Sequence, residues 1–169
     1  MTLIPETRFE RAVEKTLASE GLLSDHPRDS GGLTKYGIAQ RHHPEVNVLT
    51  LTLEQAKAIY KAKYWDMLQC DRLRSARIAE ELFDTAVNCG NGRAVLFMQK
   101  AYNLLRRRAI DEELKEDGAI GPKTLRCVNT FSGLYENALY RAMNYFQAAH
   151  YERIGSPDFM RGWFGRRLD

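Results

Sequence analysis

Apolar residues recur at helical intervals along most of this chain, and no stretch alternates apolar and polar positions long enough to read as a sustained strand. Phe9, Ala12, Val13, Thr16 and Leu17 lie at i, i+3, i+4 spacing, and Pro5 suits a first helical position. The first helix is therefore expected from about Pro5 to Glu20, closed by Gly21. Residues 21–37 hold four glycines, a proline and several small polar side chains, a loop or short hairpin. A brief helical turn is expected from Tyr36 to His42, stopping before Pro44. Thr52-x-x-Gln55 is a capping-box pattern opening a helix through Leu53, Ala56, Ile59, Tyr60 and Tyr64. Ile78, Ala79, Leu82, Phe83, Ala86 and Val87 form the apolar stripe of a helix from about Ser75 to Cys89, ended by Gly90. Asn91 can cap the next helix, with Ala94, Phe97, Met98, Ala101, Leu104 and Leu105 on its inner face. A charged connector covers 109–121. Pro122 starts a short helix, and a long one runs from about Gly133 to Ile154 with Leu134, Ala138, Ala142, Tyr145, Phe146 and Ala149 inward. The expected fold class is mainly α.

Composition narrows the possibilities. With 44% apolar and 28% charged residues in 169, the chain can bury a core and is no disordered tract. No run approaches the roughly 18 apolar residues that span a bilayer. The N-terminus has no basic segment followed by an apolar one, so the expectation is synthesis in a cytoplasm without a signal peptide. The net charge of +3 is uneven: residues 1–85 carry 12 basic and 13 acidic groups, residues 86–169 carry 13 and 9. That tilt favours a polyanionic partner, although Arg106-Arg107-Arg108 reads more simply as a solvated face. One such cluster in a chain of this net charge is a poor basis for nucleic-acid binding. The odd count of cysteines, Cys70, Cys89 and Cys127, with no C-x-x-C spacing, points to reduced thiols. His26, His42, His43 and His150 lack ligand spacing, so no metal site is expected.

The most informative chemistry lies between Glu20 and Gly37. Glu20 falls in the last turn of its helix, where the macrodipole disfavours a carboxylate and raises proton affinity. That is what a general acid requires. Asp29 follows nine residues later and Thr34 five beyond it, around Ser30-Gly31-Gly32. A protonated Glu on one side, with a carboxylate and a hydroxyl on the other, suits inverting glycoside hydrolysis. Spacing alone leaves a plainer reading open: a helix-end Glu, an ordinary turn at Asp29, and Thr34 as a helix cap.

Glu20-Gly21 with Asp29-Ser30-Gly31-Gly32-x-Thr34-x-Tyr36-Gly37-Ile38 resembles the signature of the glycoside hydrolase family 108 muramidases, peptidoglycan-cleaving enzymes of phages and bacteria. The likeness continues through Leu53-x-x-Ala56-x-x-Ile59-Tyr60, Tyr64-Trp65, Phe83-Asp84-x-Ala86-Val87-Asn88-x-Gly90, Asp117-Gly118-x-Ile120-Gly121-Pro122-x-Thr124-Leu125 and Gly162-Trp163-x-x-Arg166. Leu22 stands where the family usually has a second glycine. The Asp-to-Thr gap is one residue shorter than in the phage-type lysozymes.

The resemblance implies a lysozyme-like helical domain over residues 1–169, with 109–169 as a C-terminal helical subregion carrying a peptidoglycan-binding-like motif. It implies hydrolysis of the β-1,4 bond between N-acetylmuramic acid and N-acetylglucosamine, with Glu20 as acid, Asp29 and Thr34 positioning water, and no cofactor. Tyr36, Tyr64, Asp84 and Asn88 are candidates for substrate contact, each with a structural alternative; Trp65 is assigned to packing. Peptidoglycan is the expected partner of a monomer, without nucleic acid or membrane contact. A phage endolysin of this kind would wait in the host cytoplasm and reach the wall through a holin. A bacterial wall-remodelling secretion activator and a non-catalytic wall-binding protein are the alternatives.

Overall fold

A computed structural model of the chain describes residues 6–20, 23–24, 34–41, 43–155 and 161, with the backbone alone for Ser19, Glu20, Leu23 and Ser24. Two compact units divide it, residues 1–67 and 68–169. Among the described residues the fold is mainly α, as the periodicity predicted, with one small sheet.

In the first unit, α1 (Arg8–Glu20) starts later than expected. Thr7 Oγ1 accepts the Glu10 N–H at 3.1 Å while the Glu10 carboxylate accepts the Thr7 N–H at 2.6 Å. This reciprocal cap fixes the first turn after Thr7; Pro5 lies outside the described residues. Phe9, Ala12, Val13 and Thr16 are buried along one stripe. Three two-residue antiparallel strands follow in the order β1 (Leu23–Ser24), β2 (Thr34–Lys35), β3 (Ile38–Ala39). The helical turn expected over Tyr36–His42 does not form. Tyr36 and Gly37 have φ of 53° and 74°, the pair of positive values that closes a two-residue hairpin and that a right-handed helix excludes.

α2 (Leu53–Tyr60) opens on the predicted capping box, with Thr52 and Gln55 each bonding the other's backbone. It then widens into a π-helical turn over Lys61–Asp66 instead of continuing to Tyr64 as regular α-helix. Within that turn Trp65 is completely buried and meets Phe9 edge-on at 5.6 Å. The assignment of Trp65 to packing is borne out. Glu14 and Lys57 form an ion pair at 3.5 Å between α1 and α2.

The second unit consists of α3 (Ala76–Cys89), α4 (Asn91–Leu105) and α5 (Pro122–Ile154). Ser75 caps α3 by accepting the Ile78 N–H at 3.0 Å. Gly90, with φ of 84°, both ends α3 and precedes α4, so Asn91 is the first helical residue rather than the cap. A single residue turns the chain between two long helices, and that turn needs a left-handed φ. Ile78, Leu82 and Phe83 of α3, Met98 of α4, and Val128, Leu139 and Met143 of α5 are core residues.

The expected short and long C-terminal helices meet within α5 at a kink at Tyr135, two residues past the expected junction, where φ is −134° and ψ 36°. Leu134 (64%) and Tyr145 (62%) are exposed, contrary to the inward stripe expected of them, and so is Leu104 of α4 at 63%. After the bend the buried positions are Leu139, Ala142, Met143, Gln147 and Tyr151, a stripe that excludes Tyr145, and the change of phase at Tyr135 keeps it from extending back through Leu134. Arg106 and Arg107 are held within the connector, Arg106 by Glu113 at 2.7 Å and Arg107 by two bonds to Asp111 at 2.8 and 3.0 Å. These residues are therefore not a bare basic patch. All three cysteines are free thiols, Cys70 and Cys127 buried and Cys89 half-buried. Among the described residues, no helix is long and apolar enough to cross a membrane.

Candidate active site

The first unit carries the backbone of two of the three proposed catalytic residues, Glu20 and Thr34. Glu20 ends α1. Four residues on, Ser24 pairs across the ladder with Thr34, the first residue of β2. At about 3.5 Å of chain per residue, the Glu20 Cα lies within roughly 14 Å of Ser24. The strand carrying Thr34 therefore returns beside the residues that follow the helix end. Residues 25–33, with Asp29 among them, join these paired strands in sequence. Asp29, the side chain of Glu20, and the glycines at 21, 31 and 32 lie outside the described residues.

Thr34 is half-buried and has Ala39 as its partner on the other side, in β3. The turn beyond it is tied from two directions. The Tyr60 hydroxyl at the end of α2 donates to the Tyr36 carbonyl at 3.0 Å. The Lys35 ammonium donates to the Leu49 carbonyl at 3.2 Å and stands 5.4 Å from the Tyr36 ring centroid. Tyr36 is half-buried, so its ring is only partly withdrawn from solvent beside Thr34. Tyr64 is also half-buried, with its ring 5.9 Å from that of Tyr60. Burial pushes the Tyr64 phenol above its ordinary value, opposed by the nearby Lys63 ammonium, so it stays a neutral donor across the physiological range.

Asp84 and Asn88 belong to the second unit and share one face of α3, as their spacing predicted. Asn88 is exposed, and its amide donates back to the Asp84 carbonyl at 2.8 Å and the Asp84 carboxylate at 3.4 Å. Beside them lies a buried polar pair that the sequence reading missed. Thr85 donates to the Glu81 carboxylate at 3.2 Å, and both residues are buried. The i, i+4 spacing of Glu81 and Thr85 was visible, but they interrupt an otherwise apolar stripe and pattern reading passes over them.

The Asp117–Thr124 motif is internally occupied. Buried Gln99 donates to the Asp117 carboxylate and the Ala119 carbonyl, each at 3.0 Å, and accepts the Gly118 N–H at 2.9 Å. The Gln99 amide is the main reason the Asp117 carboxyl lies below its usual range. Lys123 sits 3.4 Å from Glu112. This geometry gives the motif a structural role in shaping the turn before α5. The terminal Gly162–Asp169 segment, with Trp163 and Arg166, lies outside the described residues.

Comparison with known proteins adds to this geometry. Residues 13–90 match the family model described as Glycosyl hydrolase 108. Residues 85–168 match one described as a Predicted Peptidoglycan domain. Among eleven chains of known structure that match is SagA of Brucella abortus, similar at a TM-score of 0.74 and 28% identity over 94% of this chain and 88% of that one. No curated protein matches.

Proposed function

We propose that this chain, which belongs to the glycosyl hydrolase 108 family and is a lysozyme-like hydrolase of peptidoglycan, cleaves the β-1,4 bond between N-acetylmuramic acid and N-acetylglucosamine. Glu20 is the general acid. It protonates the bridging oxygen as the sugar departs, while Asp29 and Thr34 orient a water on the opposite face of the ring, giving inversion. Tyr36, Tyr64, Asp84 and Asn88 contact the glycan.

The observation that supports this reading most directly is the pairing of Ser24 with Thr34, which sets the proposed water-orienting strand against the strand that begins three residues after α1. The negative end of the α1 dipole disfavours a carboxylate at Glu20, in keeping with a group that arrives at the substrate protonated. The hydroxyl and carboxylate side chains require no cofactor for this chemistry. We propose phage-directed lysis of the host wall by a monomer released through a holin. Bacterial wall remodelling for secretion is the alternative setting, and sequencing the flanking genes separates them: finding a holin gene there would favour the first.

The test is wild type against E20Q on purified sacculi. Wild type is expected to release muropeptides with reducing ends at muramic acid. E20Q should retain the fold and lose about 10²–10⁴-fold in rate, the usual worth of a positioned general acid. Equal clearance by both proteins refutes the assignment of Glu20. Anhydro ends would refute the ordered water.

A further inference from the structure

We infer that Tyr60 is a positioning residue of this hydrolase, acting on Thr34 through the backbone carbonyl of Tyr36. The inference rests on the proposed role of Thr34 in orienting water. Tyr60 is the last residue of α2 and is 1% exposed. Its hydroxyl donates to the Tyr36 carbonyl at 3.0 Å. Tyr36 is the first of the two residues that close the β2–β3 hairpin, at a φ of 53° that side chains seldom adopt. Thr34 lies two residues before it, in a ladder whose strands are each two residues long.

A ladder this short does little to fix its own geometry. The orientation of the Thr34 hydroxyl therefore depends on what holds the turn. Two ties do so from outside the sheet: the Tyr60 phenol, and the Lys35 ammonium on the Leu49 carbonyl at 3.2 Å. Phenylalanine fills the volume of the Tyr60 ring equally well. What the hydroxyl adds is a bond to the backbone of the strained turn, which holds its carbonyl in one direction. Because a displacement of about 1 Å can cost on the order of 10²-fold in rate, a modest loosening of this turn is enough to be read in turnover.

The experiment is a double-mutant cycle on purified sacculi with Y60F, T34A and the pair, following initial rates over a range of substrate concentrations. Y60F is expected to keep the circular dichroism spectrum and lower kcat severalfold with KM unchanged. In the T34A background the same change should lower kcat no further, because the group it positions is gone. K35M, which cuts the surface tie to Leu49, should show the same dependence on Thr34 and keeps the test available if Y60F does not fold. If T34A lowers turnover while a folded Y60F does not, or if the losses multiply, the positioning role is overturned with Thr34 intact as a catalytic residue. If T34A retains full turnover, the role of Thr34 fails and takes this inference with it.

Discussion

Replacing Gln99 with leucine tests how the Asp117–Thr124 turn is held. Gln99 is 1% exposed, and its amide serves three partners in that turn. Leucine keeps most of the volume and removes every polar contact. The Gly118 N–H then loses its acceptor, a cost of about 1–2 kcal/mol for a half-buried donor. The Ala119 carbonyl retains Thr124 Oγ1 at 3.4 Å, so losing the Gln99 bond there costs about 1 kcal/mol. The Asp117 carboxylate is exposed, and water replaces the amide at little net cost. The sum is about 2–3 kcal/mol, equivalent to roughly 5–10 °C in melting temperature for a chain of this size. Urea unfolding followed by circular dichroism measures it. Much of the loss should persist in acid, since two of the three contacts are to backbone. A loss below about 1 kcal/mol in Q99L would show that the turn holds itself and that the mechanism given for the motif is wrong. G118A should also destabilise, because Gly118 has φ of 71° and an added Cβ would stand 2.5 Å from the Gly92 carbonyl oxygen, a backbone atom.

Two further outcomes follow from packing and charge. W65A should cost about 3–5 kcal/mol by emptying a fully buried site against Phe9, and W65F clearly less, both read from denaturant midpoints. The bonds from Arg107 hold the Asp111 carboxyl below its usual range. A lowered folded value contributes stability that is complete above the ordinary aspartate value and is lost as pH falls through the lowered one. The stability gap between wild type and R107M should therefore be present at neutral pH and close on acidification below about pH 3.9; a gap that stays constant into strong acid contradicts the pairing.

The helices could be read wherever local chemistry agreed with their periodicity. Thr52 and Gln55 announced α2, and the stripe from Ile78 to Ala86 announced α3. Thr7-x-x-Glu10 carried the same kind of signal for α1, yet Pro5 was the more conspicuous start mark. The hairpin at Tyr36-Gly37 carries no sign at its first position, because only glycine advertises a positive φ and tyrosine adopts one here with an outside partner on its carbonyl. The π turn at Lys61–Asp66 leaves no mark in hydrophobic spacing, whereas the bend at Tyr135 falls within two residues of the break expected at Gly133. At the site, Glu20 and Thr34 were legible as residue types at a chemical spacing. Tyr60 was legible only as one more apolar position, because the bond that distinguishes it goes to a backbone atom 24 residues away.

Helix α3 belongs to the stretch that matches glycosyl hydrolase 108, yet it is packed among α4 and α5, and the two matched stretches overlap at 85–90. There the Cys89 thiol donates to the Tyr151 hydroxyl of α5 at 3.4 Å. A seam drawn at residue 90 would leave the apolar stripe of α3 facing water. The stretch that matches the Predicted Peptidoglycan domain is thus not an interchangeable cassette: a chimera that borrows a foreign C-terminal half must take the α3 that packs on it as well.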